Sequence, residues 1–425
     1  MALEWDDSVR CLASAPGTAD FTGLAAVTGH TDFTAITNGA TFYYSAFAVD
    51  SAGARTGGWE TGTGTKNSST IERTTVSRSS NSDAKVNFTG DVHVTVSVTK
   101  AFLNTLGAGG LVPSGRLTLT TGVPVLVSDV ASATTIYYAL YAGNLCPIYS
   151  GSAFVSTVFT ELSLALDSDS GHTGYHQSGK NFDLFVYSDG GTVRLGSGPA
   201  WTSDTGRGTG AGTTELARIN GVLVNAVAIT LRFGSASGNT TSVSVSQATY
   251  VGSFRASANG TTTWEIGGAA VNGDPAFLYL WNMYHRRLVT LSVRDTADEW
   301  AYTTATFRSK NNSTSNRVTV LRGLNEDGVL LLNSAIAYNA TPVNAYFGIA
   351  LDATNAADDI KGVIPMTVTN TPAAGTLCAW NGYPGLGLHF LQATEYSDAV
   401  GTTNWQGDAG GATPRQTGMT FMGMM

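Results

Sequence analysis

The chain has 425 residues, of which 42% are hydrophobic, so it is long enough for two to four domains at about 100 to 200 residues each. Only 13% of its residues are charged, and the net charge is -8. The 23 basic residues are scattered, which argues against a nucleic-acid surface because phosphate binding needs clustered Lys and Arg. Fifty glycines, with many Ser, Thr and Asn, predict a β protein with long polar loops rather than a disordered chain.

Residues 1–39 show few strand patterns, although residues 7–12 could form one helical turn. We therefore predict an N-terminal arm over residues 1–39 that becomes ordered only against a partner. The first residues, MALEWDD, lack the basic and apolar regions of a secretory signal, and no run of 18 apolar residues occurs. We expect synthesis in a cytoplasm and no membrane insertion.

A β-hairpin-rich module is predicted over residues 40–106. Residues 41–48 and 92–98 alternate apolar and polar side chains, as half-buried strands do. Between them, residues 57–88 read GGWETGTGTKNSSTIERTTVSRSSNSDAKVNF, with polar turns at 67–69 and 79–83. Gly62 and Gly64 are expected to permit positive φ in this segment.

The order W-E-x-G-x-G-T, R-T-T-V, S-S-N-S and A-K-V-N-F in this segment resembles a module near the start of many tailed-phage virion proteins, especially tail fibre and minor structural proteins. Trp59, Arg73, Asn81 and Phe88 lie in the matching positions. The resemblance is clearest over residues 42–106 and looser over residues 116–149. It implies a place in the virion and supplies no catalytic motif.

The glycine-rich stretch at residues 107–115 predicts a domain boundary. We expect a central β domain over residues 107–287 and a C-terminal β domain over residues 288–425. Short, regularly spaced strands with polar turns predict an all-β fold of several sandwich or barrel-like domains with little helix. Strands are predicted at residues 135–142, 181–187, 192–195, 222–233, 287–293, 317–322, 328–333 and 344–351.

The glycine-rich loop at residues 202–212 is either mobile or ordered by a neighbour. The sequence W-E-x-G recurs at Trp264, which could be chance in such a composition.

Asp167 and Asp169 alternate with Ser before a glycine, a pattern that can hold a cation such as calcium. The bidentate Glu that such loops use is missing, so an ordinary Asp/Ser turn is the competing interpretation. His172 and His176 lie four residues apart, but neighbouring glycines and the lack of a third ligand favour a flexible surface loop over a zinc site. The three cysteines are widely separated, which excludes a complete disulfide framework and predicts buried or inert thiols.

Aromatic residues supply the candidate contacts with a host surface, which are Tyr175, Trp380 and Tyr383. Trp380 is predicted to be exposed in a loop, whereas Trp59 and Trp281 are predicted to pack in cores.

The last residues form an apolar tail, in which Met419, Phe421, Met422 and Met424 are candidates for assembly with another subunit. The alternative, a last strand packed on its own domain, is equally compatible with the sequence.

Motifs for hydrolase, metalloprotease, nucleotide and dinucleotide sites are absent, so we expect neither a cofactor nor an enzyme, with an unrecognised glycan-degrading activity as the one exception. The resulting hypothesis is a tailed-phage fibre or spike subunit, a homotrimer in the virion that is made in the host cytoplasm and mediates host attachment. Its expected partners are itself, other proteins of the tail, baseplate or capsid, and a host-surface glycan or protein. The alternatives are a capsid decoration or head-fibre protein, which would lack glycan affinity, and a polysaccharide-degrading spike, which would release sugars.

Overall fold

The computed structural model describes residues 9–97, 112–411 and 415–425. The chain divides into two compact units, residues 1–110 and 111–425, within the glycine-rich stretch that predicts a boundary. Nearly all regular structure is β, which confirms the predicted fold class. The described residues contain two three-residue 3-10 helices, Phe33–Ala35 and Lys310–Asn312, and no helix long and apolar enough to cross a membrane.

The first unit is built on one six-stranded antiparallel sheet in the order β2-β1-β6-β3-β4-β5. Its strands are β1 (Arg10–Ala13), β2 (Ala25–Ala26), β3 (Thr41–Val49), β4 (Arg55–Asn67), β5 (Thr70–Ser79) and β6 (Val92–Val96). Ser68 and Ser69 form the turn between β4 and β5, as predicted. Gly62 does not have the positive φ that was predicted. A Cβ atom at this position would lie 1.9 Å from the carbonyl oxygen of Thr75, so the close approach of the two strands is the reason that only glycine fits here.

The described part of the predicted N-terminal arm, residues 9–39, contributes two strands to this sheet, and residues 1–8 of the prediction lie outside the described residues. β1 pairs with β6 in register from Arg10 to Ala13, and Cys11, Phe21 and Phe33 lie in the core of the unit. The alternation of RCLA, with Cys11 and Ala13 buried, is that of a strand and not of the predicted helical turn. Four residues were too few for the sequence pattern to separate the two.

A buried ion pair lies at the centre of the first unit. Arg73 and Glu60 are fully buried, and Arg73 Nε donates to Glu60 Oε1 over 2.7 Å while Arg73 Nη2 bonds the second oxygen. The hydroxyl of Tyr44 and the backbone N–H of Val86 also donate to Glu60, both over 2.8 Å. The guanidinium further donates to the carbonyls of Gly17, Ala19 and Val86 and lies over the rings of Phe21 and Phe88. Arg73 therefore joins β4 and β5 to segments that are distant in sequence.

The described residues of the second unit form five sheets. The largest has thirteen strands, in the order β21-β24-β36-β28-β33-β31-β30-β34-β27-β22-β20-β8 with β26 paired to β34. Its strands are β8 (Val130–Ala133), β20 (Thr262–Ile266), β21 (Ala269–Ala270), β22 (Ala276–Leu278), β24 (Leu288–Asp295), β26 (Arg308–Ser309), β27 (Arg317–Arg322), β28 (Val329–Ser334), β30 (Val343–Leu351), β31 (Asp358–Met366), β33 (Cys378–Gly382), β34 (Gly387–Tyr396) and β36 (Gly418–Met424).

An eight-stranded sheet has the order β15-β16-β19-β13-β14-β17-β18, with β23 paired to β19. Its strands are β13 (Asn181–Asp189), β14 (Thr192–Ala200), β15 (Leu216–Ile219), β16 (Val222–Asn225), β17 (Ile229–Arg232), β18 (Thr240–Val243), β19 (Ala248–Arg255) and β23 (Leu280–Asn282). The smaller sheets contain β7 (Gly115–Thr118), β9 (Thr135–Leu140) and β12 (Leu162–Ala165); β10 (Leu145–Tyr149) and β11 (Phe154–Val158); and β25 (Trp300–Tyr302), β29 (Ile336–Asn339), β32 (Ala373–Ala374) and β35 (Thr403–Gln406).

One continuous hydrophobic core runs through the second unit, from Leu117 to Met425. The largest sheet takes β8, β20 and β22 from the predicted central domain and most of its other strands from the predicted C-terminal domain. The structure therefore places no division at residue 287, in contrast to the predicted boundary. Parallel pairing of β22 with β27 joins the predicted central and C-terminal domains. Pairing between strands so distant in sequence cannot be predicted from a local sequence pattern.

The loop at residues 202–212 is anchored within its own unit. Arg207 is buried and pairs with Asp183, with its Nε 2.6 Å from Asp183 Oδ2, and it also donates to the Tyr250 hydroxyl and the Gly323 carbonyl. Both predictions for this loop, mobility and ordering by a neighbour, are therefore replaced by an internal ion pair. The three cysteines are buried and free, and burial raises the pKa of each thiol.

Candidate functional site

A cleft lies on the outer face of the largest sheet, where β20 and β22 pair with Glu265 opposite Phe277. Successive side chains of a strand point to opposite faces, so Trp264 and Leu278 enter the core while Glu265 and Phe277 face outward. Tyr279 follows β22 on the same side as Phe277. The cleft has a volume of about 340 Å³, and its remaining polar wall comes from Ser178, Arg255, Ser257 and Thr263. We call it the β20–β22 cleft.

Two aromatic rings form one side of the cleft. The ring centroids of Phe277 and Tyr279 are 5.5 Å apart with a tilted geometry, and both side chains are half-buried. Burial raises the pKa of the Tyr279 hydroxyl, which stays protonated and able to donate a hydrogen bond at neutral pH. Ring faces held in this way can pack against the C–H groups of a ligand.

The carboxyl group of Glu265 is the acceptor of the cleft. No hydrogen bond or ion pair joins it to any other group in the described parts of the chain. Its pKa is raised, first by partial burial and then by the nearby carboxylates of Asp129 and Asp274. Asp129 is itself fixed in place, because its Oδ1 accepts the backbone N–H of Ile266 over 2.8 Å.

Arg255, at the end of β19, supplies the opposite charge. Its Nη1 donates to Asn181 Oδ1 over 3.0 Å and to Asp204 Oδ1 over 2.9 Å, so the planar group is held in one orientation. Asp204 belongs to the anchored loop at residues 202–212. The guanidinium therefore presents fixed donors to the cleft that the Glu265 carboxyl group also lines.

These groups suit a ligand with many hydroxyl groups and apolar C–H faces. A carboxylate accepts from hydroxyl groups, a guanidinium and a phenol donate to them, and the small hydroxyl side chains of Ser178, Ser257 and Thr263 do both. A saccharide unit has this combination of groups.

The three predicted contact residues differ in exposure. Tyr383 is 63% exposed, whereas Trp380 is 7% exposed, so the prediction that Trp380 is an exposed loop residue is wrong. It lies on β33, opposite Leu331 of β28, and faces the core. Tyr175 is half-buried, three residues before Ser178 of the cleft. Among the tryptophans predicted to pack, Trp281 is fully buried, but Trp59 is 42% exposed, against the prediction.

The candidate cation ligands are engaged by protein groups. Asp167 is buried, and its Oδ2 lies 2.9 Å from both Arg232 Nη1 and His172 Nδ1, while its Oδ1 accepts the backbone N–H of Asp169. Asp169 is largely exposed and pairs with His172. These contacts favour the Asp/Ser turn. No group of three or more metal-ligating side chains occurs among the residues that the structure describes.

His176 is buried, in contrast to the prediction of a flexible surface loop. Its Nδ1 accepts the backbone N–H of Asp167 over 2.7 Å, and its Nε2 lies 2.8 Å from the hydroxyl oxygen of Ser197. An Nδ1 that accepts leaves the proton of the neutral ring on Nε2, so the ring donates to Ser197 and cannot act as its base. Burial lowers the pKa of His176 to about 4, which keeps the ring neutral.

The predicted assembly tail is an interior strand of its own unit. β36 lies between β24 and β28, with Phe421 opposite Leu291 and Leu331. Met419 and Phe421 are buried, Met422 is half-buried and Met424 is 36% exposed. The packing corresponds to the alternative interpretation, a last strand on its own domain.

The residues of the β20–β22 cleft were not predicted from the sequence. The signal that could have predicted them is the alternation of side chains in TTWEI and AFLYL. In these two short segments, Glu265, Phe277 and Tyr279 occupy the positions that face away from the core. The repeated W-E-x-G is not a structural repeat, because different positions of the motif are buried in the two copies. The glutamate, Glu60, is buried in the first copy, whereas the tryptophan, Trp264, is buried in the second.

No protein-family model matches the chain, and no curated protein matches it. Among solved structures, it is similar to the insecticidal delta-endotoxin Cry8Ea1 from Bacillus thuringiensis, with 5% identity and a TM-score of 0.20 over 74% of this chain and 52% of that one. It is also similar to a Bacillus thuringiensis Cry1Da tryptic core variant, with 8% identity and a TM-score of 0.15 over 76% of this chain and 54% of that one. The chain thus spans about half the length of these toxins. TM-scores this low do not establish a shared fold.

Proposed function

We propose that the chain is a non-enzymatic structural subunit of a tailed-phage virion, a fibre or spike protein that attaches to the host surface by binding saccharide units in the β20–β22 cleft. One observation carries the proposal: the unpartnered carboxyl group of Glu265, the fixed guanidinium of Arg255 and the two aromatic rings all line one outward-facing cleft. The resemblance of residues 42–106 to virion modules supports the place in the particle. The low charge of the chain suits a neutral, hydroxyl-rich ligand.

The proposal includes a homotrimer whose subunits cover one another's sheet edges, which are otherwise open to pairing with other chains. Its further partners are proteins of the tail, baseplate or capsid. Sedimentation equilibrium of the purified chain tests the trimer, and a reconstruction of the intact particle tests its position. A copy beside every capsomer would favour a decoration protein.

Binding to an array of bacterial surface polysaccharides tests the attachment function. We expect saturable binding to one class of glycan, with a loss of about tenfold or more when Tyr279→Ala removes a stacking ring or Glu265→Gln removes the charged acceptor. Tyr141→Ala is the matched control, because Tyr141 is an exposed tyrosine that does not line the cleft and is not a predicted contact residue. Equal loss from the cleft and control variants, or no glycan binding at all, contradicts the proposal.

Glycan cleavage is the second candidate function. It is favoured by the raised pKa of Glu265 beside Asp129 and Asp274, because glycosidases pair a protonated carboxyl with an ionised one. Release of new reducing ends from a bound polysaccharide distinguishes the two functions. Release that is lost in Glu265→Gln identifies an enzyme, whereas binding without release identifies an attachment protein.

A further inference from the structure

A second cavity lies on the opposite face of β20 from the cleft. It has a volume of about 280 Å³, and Trp264 and Ile266 line it while Glu265 between them faces the cleft. The rest of its wall is largely aliphatic, with contributions from Leu126, Leu280 and Val289. Val127 and Leu288 are 78% and 62% exposed at this cavity, so apolar surface continues outward from it.

The polar side chains of this cavity carry donors and no negative charge. They belong to Arg116, Trp264, Asn282, Arg287 and Thr290, and the described lining of the cavity includes no Asp or Glu. Trp264 is 4% exposed, and its indole N–H has no hydrogen-bond acceptor among the residues that the structure describes. A buried donor without an acceptor costs free energy, which a ligand that supplies the acceptor would recover. Trp201, Trp281 and Trp405 also have unpartnered N–H groups, but they do not line this cavity.

The two arginines hold a positive charge at the cavity. Arg116 is 4% exposed, and each of its bonds goes to a main-chain oxygen, those of His285, Pro124 and Met425, the last residue of the sequence. Burial lowers the pKa of Arg116 to about 10, with Arg287 contributing in the same direction. Arg116 still remains charged at neutral pH.

Arg287 is the second arginine that lines the cavity. The guanidinium of its neighbour Arg286 pairs with both Glu326 and Asp327. The Arg287 guanidinium is exposed and has no hydrogen-bond or ion-pair partner among the described residues. An anionic group at the cavity would therefore meet Arg287 without displacing an existing ion pair.

We propose that this cavity binds a small amphiphile with an aliphatic chain and a carboxylate head, such as a medium-chain fatty acid. The chain packs against Leu126, Leu280 and Val289, and the head accepts hydrogen bonds from Arg287 and its neighbouring donors. The volume lies just below the range of about 300–1,000 Å³ that is typical of small-molecule sites, so it favours a short or medium chain. The site is independent of saccharide binding, since it lies on the other face of β20.

Calorimetric titration of the full chain with decanoate, decanol and decyltrimethylammonium, all below their micellar concentrations, tests the ligand class. Decanoate is expected to bind at one site per chain about tenfold more tightly than decanol, because only decanoate forms charge-assisted bonds, and the cationic amphiphile is expected not to bind. Equal affinity for all three would indicate adsorption to apolar surface and overturn the proposal. Absence of decanoate binding would overturn it as well.

Three variants locate the site. Arg287→Gln is expected to weaken decanoate binding about tenfold and to leave decanol unaffected, since only the charge-assisted bond is lost. Arg294→Gln is the matched control, because Arg294 is an exposed arginine of β24 outside the cavity. Thr290→Phe should obstruct the cavity from an exposed position, with little effect on folding. Equal effects of the two arginine variants, or unchanged binding to Thr290→Phe, would place the amphiphile elsewhere.

Discussion

Breaking the Glu60–Arg73 pair should unfold the first unit selectively. Among the described residues, Arg73→Met leaves the fully buried Glu60 carboxylate with the Tyr44 hydroxyl and the Val86 N–H as its remaining donors. Leaving one partner of a buried ion pair uncompensated costs about 3–5 kcal/mol. The carbonyls of Gly17 and Ala19 also lose their donor, which adds to the cost. Glu60→Leu should destabilise the unit to a similar extent by stranding the buried guanidinium.

The double variant Glu60→Leu with Arg73→Met removes both charges. Its destabilisation should be smaller than the sum of the single effects by about 1.5 kcal/mol or more, because neither charge is then left buried alone. Native-state hydrogen exchange measures this cycle, with peptides from β4 and β5 reporting on the first unit and peptides from β27 in the second unit as the internal reference. Additive effects, or a cost below about 1 kcal/mol for either single change, would refute the reasoning.

Three further predictions concern the second unit. The pKa of His176 is lowered to about 4 from about 6.5 in an unfolded chain, so its contribution to stability is complete above pH 6.5 and declines as the pH falls toward 4. Denaturation midpoints of His176→Gln should therefore change less between pH 6.5 and 4 than those of the unmodified chain, and parallel curves would contradict this. Trp380→Ala should lower the free energy of unfolding, measured by urea denaturation, by about 3–5 kcal/mol, because Trp380 is buried. Tyr383→Ala should lower it by less than about 0.5 kcal/mol, because Tyr383 is exposed, and comparable losses would contradict the packing. Phe421→Ala should lower stability by about 3–5 kcal/mol without changing the sedimentation mass, because β36 is an interior strand; loss of oligomers with unchanged stability would restore the assembly role.

The sequence predicted strands best where apolar and polar residues alternate without interruption over a short segment. The predicted strand at residues 317–322 is β27 without change, and those at 41–48 and 344–351 differ from β3 and β30 by one residue at an end. The predicted strand at 222–233 is divided into β16 and β17, because the chain bends after Asn225. Local patterns thus placed strands well but could not detect a bend inside an apolar run.

Contacts between distant segments were beyond the reach of the sequence. The Glu60–Arg73 pair lies within residues 57–88, and nothing in the pattern of this segment distinguishes a buried Arg73 from a solvated one. The cleft depends on pairing of β20 with β22 and on Arg255 from β19, which belongs to another sheet. Trp380 was misplaced because its Gly- and Pro-containing surroundings suggested a loop, whereas pairing with β28 makes it a strand residue.

Binding of purified chain to bacterial surface polysaccharides, compared between the unmodified protein and Tyr279→Ala, tests attachment through the β20–β22 cleft most directly. The account predicts saturable binding by the unmodified protein, a loss of about tenfold or more in Tyr279→Ala, and unchanged binding in Tyr141→Ala. Binding that survives Tyr279→Ala undiminished would show that the cleft is not the contact site.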